Sequence, residues 1–273
     1  MTSRALKRSP LLEYIFEIRW SDTGEAGKAV GSSVANLFDE YEINLGVLFH
    51  NIKEKFPFHV KMARIPREAF EQGIGLGAVL DRFQALNSSS DAPHYPLIQY
   101  GPGVGTFNIS GPVYHESTEK WKSLRSDILS YINTLSELHS DFSRRVDAIS
   151  FRTIDFFEGK RENTGKFFAD NLNINVSSGA SAIAQLDDSI QVPSYNCVWI
   201  LGENSPLPGA EARVVVANAV ANGLIGTILD ITITVNQNKK PLAAIETILN
   251  NQHSLAVDIF FTILKEEYAN SLR

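Results

Sequence analysis

The sequence predicts an α+β protein made of two mostly antiparallel sheet-plus-long-helix subdomains in tandem, residues 1–140 and 141–273. Three observations lead there. Residues 11–20, LLEYIFEIRW, alternate with a period of two, placing Leu12, Tyr14, Phe16, Ile18 and Trp20 on one face. A period of two is that of a half-buried strand, usually in an antiparallel sheet with one solvated side. Trp121, Leu124, Ile128, Ile132, Leu135 and Leu138 recur in steps of three and four, which gives a long helix one apolar stripe. The same order, strands and then amphipathic helix, returns in the second half, and such layers pack as sheet on helix. No sequence repeat joins the halves, so their parallel rests on element order.

Taken along the chain, residues 21–27 form a loop, and Val30, Val34, Leu37, Phe38 and Tyr41 predict a helix over about 27–41. Phe56, Phe58 and Val60 suggest a short strand, and Ala78 to Leu86 a short helix. Residues 97–110 read as two strands around the turn GPGVG, with Ser117 or Thr118 placed to cap the long helix that follows. The second half opens on a long strand, RVDAISFRTIDFF at 145–157, and 182–191 and 196–201 are further strands. The Pro-rich 203–211 connects to strands at 212–220 and 226–235, which flank Asn222-Gly223, a pair suited to a turn with positive φ. Pro241 sits where a helix can begin, and Ser254 is a point where the C-terminal helix can restart.

Composition excludes whole classes of function. An apolar fraction of 44% is enough for a core, so wholesale disorder is ruled out. One cysteine makes no intramolecular disulfide, so this is no stapled secreted scaffold. The formal charge of −6 gives no global field for nucleic acid, which is not expected as a direct global binder. The two halves carry −2 and −4, so neither is a basic arm or an acidic tail. Arg4, Lys7 and Arg8 resemble the start of a targeting signal, but Pro10, Glu13 and Glu17 interrupt the apolar helix it would need. The uncharged run from Val214 to Leu229 has 16 residues, short of a membrane span of about 20. No membrane partner is expected, and the cytoplasm is the expected compartment.

Motifs for chemistry are sparse. Gly101, Gly103 and Gly105 in GPGVG, and GIGLG at 73–77, invite a phosphate loop. Such a loop lies between a strand and a helix, with backbone N–H groups facing the phosphate. GPGVG joins two strands, and Pro102 removes one donor, so a glycine turn is the stronger reading. Gly165-Lys166 lacks the upstream glycine of a P-loop. None of the six histidines has metal-ligand spacing, and Cys197 beside Val198, Trp199 and Ile200 suits a buried inert thiol. No cofactor and no metal are expected. Arg152 and Asp155 stand three apart on one strand and so point to opposite faces. With His253 they are the candidates for a catalytic set that only the fold could assemble. Gly101, Gly103 and Gly105 are the candidates for ligand binding.

Four blocks together carry a resemblance. They are SPLLEYIFEIRW, QYGPGVGTFNISGPVYHESTEKWKSL, RVDAISFRTIDFFEG, and LDITITV followed by LNNQHSLAVDIFFTILKEEY. In this order they resemble a sporadically distributed bacterial family of uncharacterised proteins of about this length. The matching positions include Asn108, Tyr114, Trp121, Arg152, Asp155, Asp230 and His253. The resemblance implies no established reaction. Its patchy distribution implies mobile loci, such as antiviral defence or toxin–antitoxin modules. The leading expectation is a non-enzymatic interaction or assembly component that binds a protein from a neighbouring gene or forms a homo-oligomer. The alternatives are a small-molecule or nucleotide sensor with a cavity between sheet and helix, and a hydrolase or nuclease built from dispersed acids and His253.

Overall fold

A computed structural model describes residues 9–21, 30–61, 80–85, 94–116, 119–159, 167, 170–174, 194–221, 223–236 and 244–272, with side chains left aside at 30–38. Among them are β1 (Leu11–Trp20), α1 (Val30–Ile52), β2 (Phe58–Val60), β3 (Asp81–Gln84), β4 (Leu97–Gly101) and β5 (Val104–Ser110). Next come α2 (Gly111–Glu116), α3 (Trp121–Leu138), α4 (Phe142–Arg145) and β6 (Val146–Glu158). The chain continues with β7 (Tyr195–Ile200), β8 (Glu211–Ala221), β9 (Leu224–Asn236), α5 (Ile245–Ile263) and α6 (Glu266–Ser271). The α+β class holds. The strands form an antiparallel sheet in the order β2-β3-β4-β5-β1-β6-β9-β8-β7. No helix among the described residues is long and apolar enough to cross a membrane.

The chain divides into two compact units. One gathers residues 1–14, 152–233 and 250–273; the other gathers 15–151 and 234–249. The units interleave along the chain, and the boundary expected between residues 140 and 141 falls inside the second of them.

In the 15–151 unit, the α3 stripe is seated as its periodicity requires. Leu124, Ile128, Ile132 and Leu135 are buried, and Trp121 meets the Phe151 ring edge-on at 5.6 Å. Neither Ser117 nor Thr118 lies among the described residues, and Lys120 occupies the cap position with no side-chain hydrogen bond. In the other unit, the part of α5 from residue 250 onward buries Gln252, Ala256 and Phe260 in steps of four along one face. Ser254 stands exposed on the opposite side, so the helix runs through it without restarting.

Three other expectations change. Helix α1 extends to Ile52, because Tyr41, Leu48 and Ile52 continue the apolar spacing. The expected helix from Ala78 to Leu86 is instead strand β3 over 81–84. There Asp81 pairs with Tyr100 and Phe83 stacks between Phe49 and His59, so partners rather than local preference decide a short apolar run. On β1 the alternation slips by one: Leu11 and Tyr14 are buried while Leu12 is half-buried. The expected strand at 182–191, the GIGLG loop, Gly165-Lys166, Asn222 and Pro241 lie outside the described residues.

Candidate functional site

The catalytic candidates separate by geometry. Burial alternates along β6, with Phe151, Thr153, Asp155 and Phe157 on the buried face and Arg152 on the half-exposed one. Arg152 forms a two-pronged ion pair with Asp230 of β9: Nε donates to Oδ1 at 2.9 Å and Nη2 to Oδ2 at 2.6 Å. The Thr232 hydroxyl donates to the same Oδ1 at 3.5 Å. Asp155 lies under the other face at 5% exposure. Burial first, and then the nearby charge of Asp230, push its carboxyl up to about 8. At neutral pH it is therefore largely a protonated acid. His253 on α5 tilts against Tyr14 with ring centroids 6.2 Å apart, and burial lowers its imidazole to about 4. The fold thus joins Arg152 to Asp230, sets Asp155 on the opposite face, and packs a neutral His253 against an aromatic ring.

The glycine turn is closed. Gly101 and Val104 pair as the last rung of the β4–β5 hairpin, leaving Pro102 and Gly103 as its two turn residues. Gly103 has φ 69°, a conformation glycine adopts at least cost. Its carbonyl accepts from the Trp20 N–H at 2.9 Å. A Cβ on Gly105 would stand 2.5 Å from the Tyr131 hydroxyl. All five residues from 101 to 105 are buried, as the glycine-turn reading requires, so the turn serves packing.

Sequence reasoning missed a buried polar network centred on Glu40. Arg145 holds both of its oxygens, through Nη1 at 2.7 Å and Nη2 at 2.6 Å, and gives Nε to the Ser21 carbonyl at 2.8 Å. Burial alone would raise the Glu40 carboxyl, but hydrogen bonds from Arg145 and His139 outweigh it and bring the group down to about 2. His139 is lowered by burial more than Glu40 raises it, so the ring is neutral. A neutral ring has one donor and one acceptor. Nδ1 then donates to Glu40 at 2.9 Å, and Nε2 accepts from the Tyr100 hydroxyl at 3.1 Å. Trp20 and Phe142 pack on the same imidazole at 5.0 and 5.7 Å. Enclosed by aromatic rings, with its partners in place, this constellation serves the fold. Its members stand up to 124 positions apart, and no local spacing announces them.

Two further features among the described residues are open to solvent. A cleft of about 180 Å³ opens between the end of α1, helix α3 and strands β4 and β5. Ile98, Phe107 and Phe56 give it apolar walls, and Ser130 and the Lys55–Asp127 ion pair give it polar ones. The second feature is β7. Among the described strands it lies at the end of the sheet, paired on one side with β8 in the register Tyr195↔Val216, Cys197↔Val214 and Trp199↔Ala212. Val214, Val216 and Ala212 are at most 1% exposed, so Tyr195, Cys197 and Trp199 continue the core face outward. Val198, Trp199 and Ile200 are 49%, 43% and 69% exposed. Beyond the other end of the β7–β8 pairing, the β8–β9 hairpin exposes Val220, Leu224 and Ile225. Cys197, expected to be buried, is half-exposed on a strand that has a neighbour on one side only among the described strands. Among the described residues no three His, Cys, Asp or Glu side chains gather as metal ligands.

Compared with known proteins, the chain matches no family model and no curated protein.

Proposed function

We propose that this protein is a non-enzymatic interaction and assembly component whose docking element is the outer edge of β7. The observation that carries this reading is an apolar, uncharged strand at the edge of the described sheet: YNCVWI contains no Lys, Glu or Pro and exposes three large apolar side chains. Natural sheets usually blunt a free edge with charge, proline or a bulge, since its open N–H and C=O groups pair with any strand offered. An edge left apolar is suited to strand addition, in which backbone hydrogen bonds supply affinity and alternate side chains supply selectivity. Exposed apolar side chains grouped in this way mark interaction surfaces. The resemblance to a patchily distributed bacterial family supports placing such a component in an antiviral-defence or toxin–antitoxin locus.

A photoreactive amino acid at Ile200, introduced into the chain in its native host, tests the docking reading. Ile200 should give covalent adducts on illumination, and the same residue at exposed Glu137 on α3 should give none. Absence of adducts at Ile200, or equal adducts at both positions, would remove the support for β7 as a docking element.

The α1–α3 cleft favours a second reading, a small-molecule sensor. Apolar walls with a few polar groups are the usual make-up of a ligand site. Here Lys55 and Asp127 would meet a polar ligand while Phe56 and Phe107 hold its apolar part. A panel of nucleotides and metabolites should then raise the melting temperature, and Ser130→Trp, which fills the cleft, should abolish the rise.

A further inference from the structure

Resting on the sensor reading of the α1–α3 cleft, we propose that its ligand is a small primary amine with an apolar body, whose ammonium takes the place of Lys55 on Asp127.

Size narrows the ligand first. The cleft holds about 180 Å³, and its described wall residues all belong to the 15–151 unit. Sites for drug-sized ligands run to ~300–1,000 Å³, so a nucleotide or a dinucleotide cofactor is too large. A molecule with the bulk of one large side chain fits.

Charge narrows it next. Glu54, Lys55 and Asp127 line the cleft, two carboxylates against one ammonium. A further cation balances this set, whereas an anion adds to the excess of like charge.

Lys55 shows how such a cation is held. Its ammonium pairs with the Asp127 carboxylate and lies 6.0 Å over the centroid of the Phe56 ring. A carboxylate on one side and an aromatic face on the other make a seat suited to an organic cation. Phe56 in turn meets Phe107 edge-on at 6.2 Å, and Ile52 and Ile98 complete an apolar floor for the body of the ligand. The exposed Ser130 hydroxyl, one turn along α3 from Asp127, can accept a second ammonium hydrogen.

Lys55 is also replaceable. Its side chain is 54% exposed and that of Asp127 29%, and an ion pair so open to water is worth little. On a flexible stem beyond the end of α1, Lys55 can leave for solvent while the ligand's ammonium keeps Asp127 compensated. Lys55 is therefore an internal competitor for the site. Removing it and removing Asp127 should act in opposite directions.

The test titrates the full chain by calorimetry at neutral pH with phenethylamine and isopentylamine, and with hydrocinnamate and phenethyl alcohol as acidic and neutral counterparts. The amines should bind saturably, and the counterparts should bind roughly tenfold more weakly or worse. Asp127→Asn should weaken amine binding by about tenfold or more, since it removes a charge-assisted hydrogen bond. Lys55→Met should tighten it by about twofold to fivefold, because the competitor is gone. A folding defect would weaken binding in both variants, so the opposed signs are the signature. Equal binding of amine and acid, no change in Asp127→Asn, or unchanged or weaker binding in Lys55→Met overturns the proposal. If the amines fail while another metabolite raises the melting temperature and Ser130→Trp abolishes the rise, the amine assignment falls and the sensor reading stands. If nothing in the panel binds, both fall.

Discussion

Asp155 is buried as an acid, and that fixes how stability should respond to pH. Its folded pKa of about 8 lies far above the ordinary carboxylate range. The folded chain therefore keeps a proton that the unfolded chain has released, and stability falls as pH rises from about 4 to 8. Asp155→Asn keeps the shape and hydrogen-bonding capacity of the protonated acid without the ionisation. We expect it to flatten this slope and to exceed wild type in stability by several kcal/mol at pH 8, with little difference near pH 4, measured by urea unfolding at each pH. Glu40 works in the opposite direction. Its folded pKa of about 2 is depressed, so its contribution is present above about 4.5 and is lost as pH falls toward 2. Glu40→Gln should cost about 3 kcal/mol at neutral pH and remove that acid limb, because Arg145 would be left 8% exposed without its counter-charge. The two roles were not equally legible. Asp155 was singled out by its place in a long strand and by the parity that turns it away from Arg152. Glu40 was not, since its partners come from a helix end and a turn more than ninety positions away.

At the scale of elements, what could be read depended on how much of an element's pattern is local. Helix α3 and strands β6, β8 and β9 follow their periodicities within a residue or two. Strand β3 does not, because four residues carry too little pattern and the strand is held by pairing with β4 and by rings from α1 and β2. Two glycine substitutions check the packing of elements. A Cβ at Gly226 in β9 would strike the Phe157 carbonyl and the Phe156 ring, so Gly226→Ala should cost about 2 kcal/mol or more through overpacking. Gly46 in α1 has open space around its Cβ position, so Gly46→Ala should stabilise by about 0.5–1 kcal/mol through helix propensity. Chemical denaturation of both variants measures the contrast, and equal effects would mean that β9 is not packed as described. The edge β7 was legible as a strand but not as an edge. YNCVWI reads as a buried apolar segment until the sheet order shows a neighbour on one side only among the described strands.

For the whole molecule, composition removed functions without supplying one, and the fold carries the same balance. Polar clusters that suggest chemistry, at Glu40 and at Arg152–Asp230, are satisfied within the structure. Among the described residues, exposed large apolar side chains group on β7 and on the β8–β9 hairpin, with Ile43 and Val47 exposed on α1. Assembly through β7 is the function this distribution supports, and hydrogen exchange of the Tyr195–Ile200 amides in the full chain tests it most directly. On a free edge strand alternate amides point away from β8 and exchange rapidly. Docking predicts that these outward amides become protected as protein concentration rises or when host extract is added, and that Ile200→Lys reverses the protection. Rapid exchange of the same amides at every concentration, with and without extract, would contradict assembly through β7.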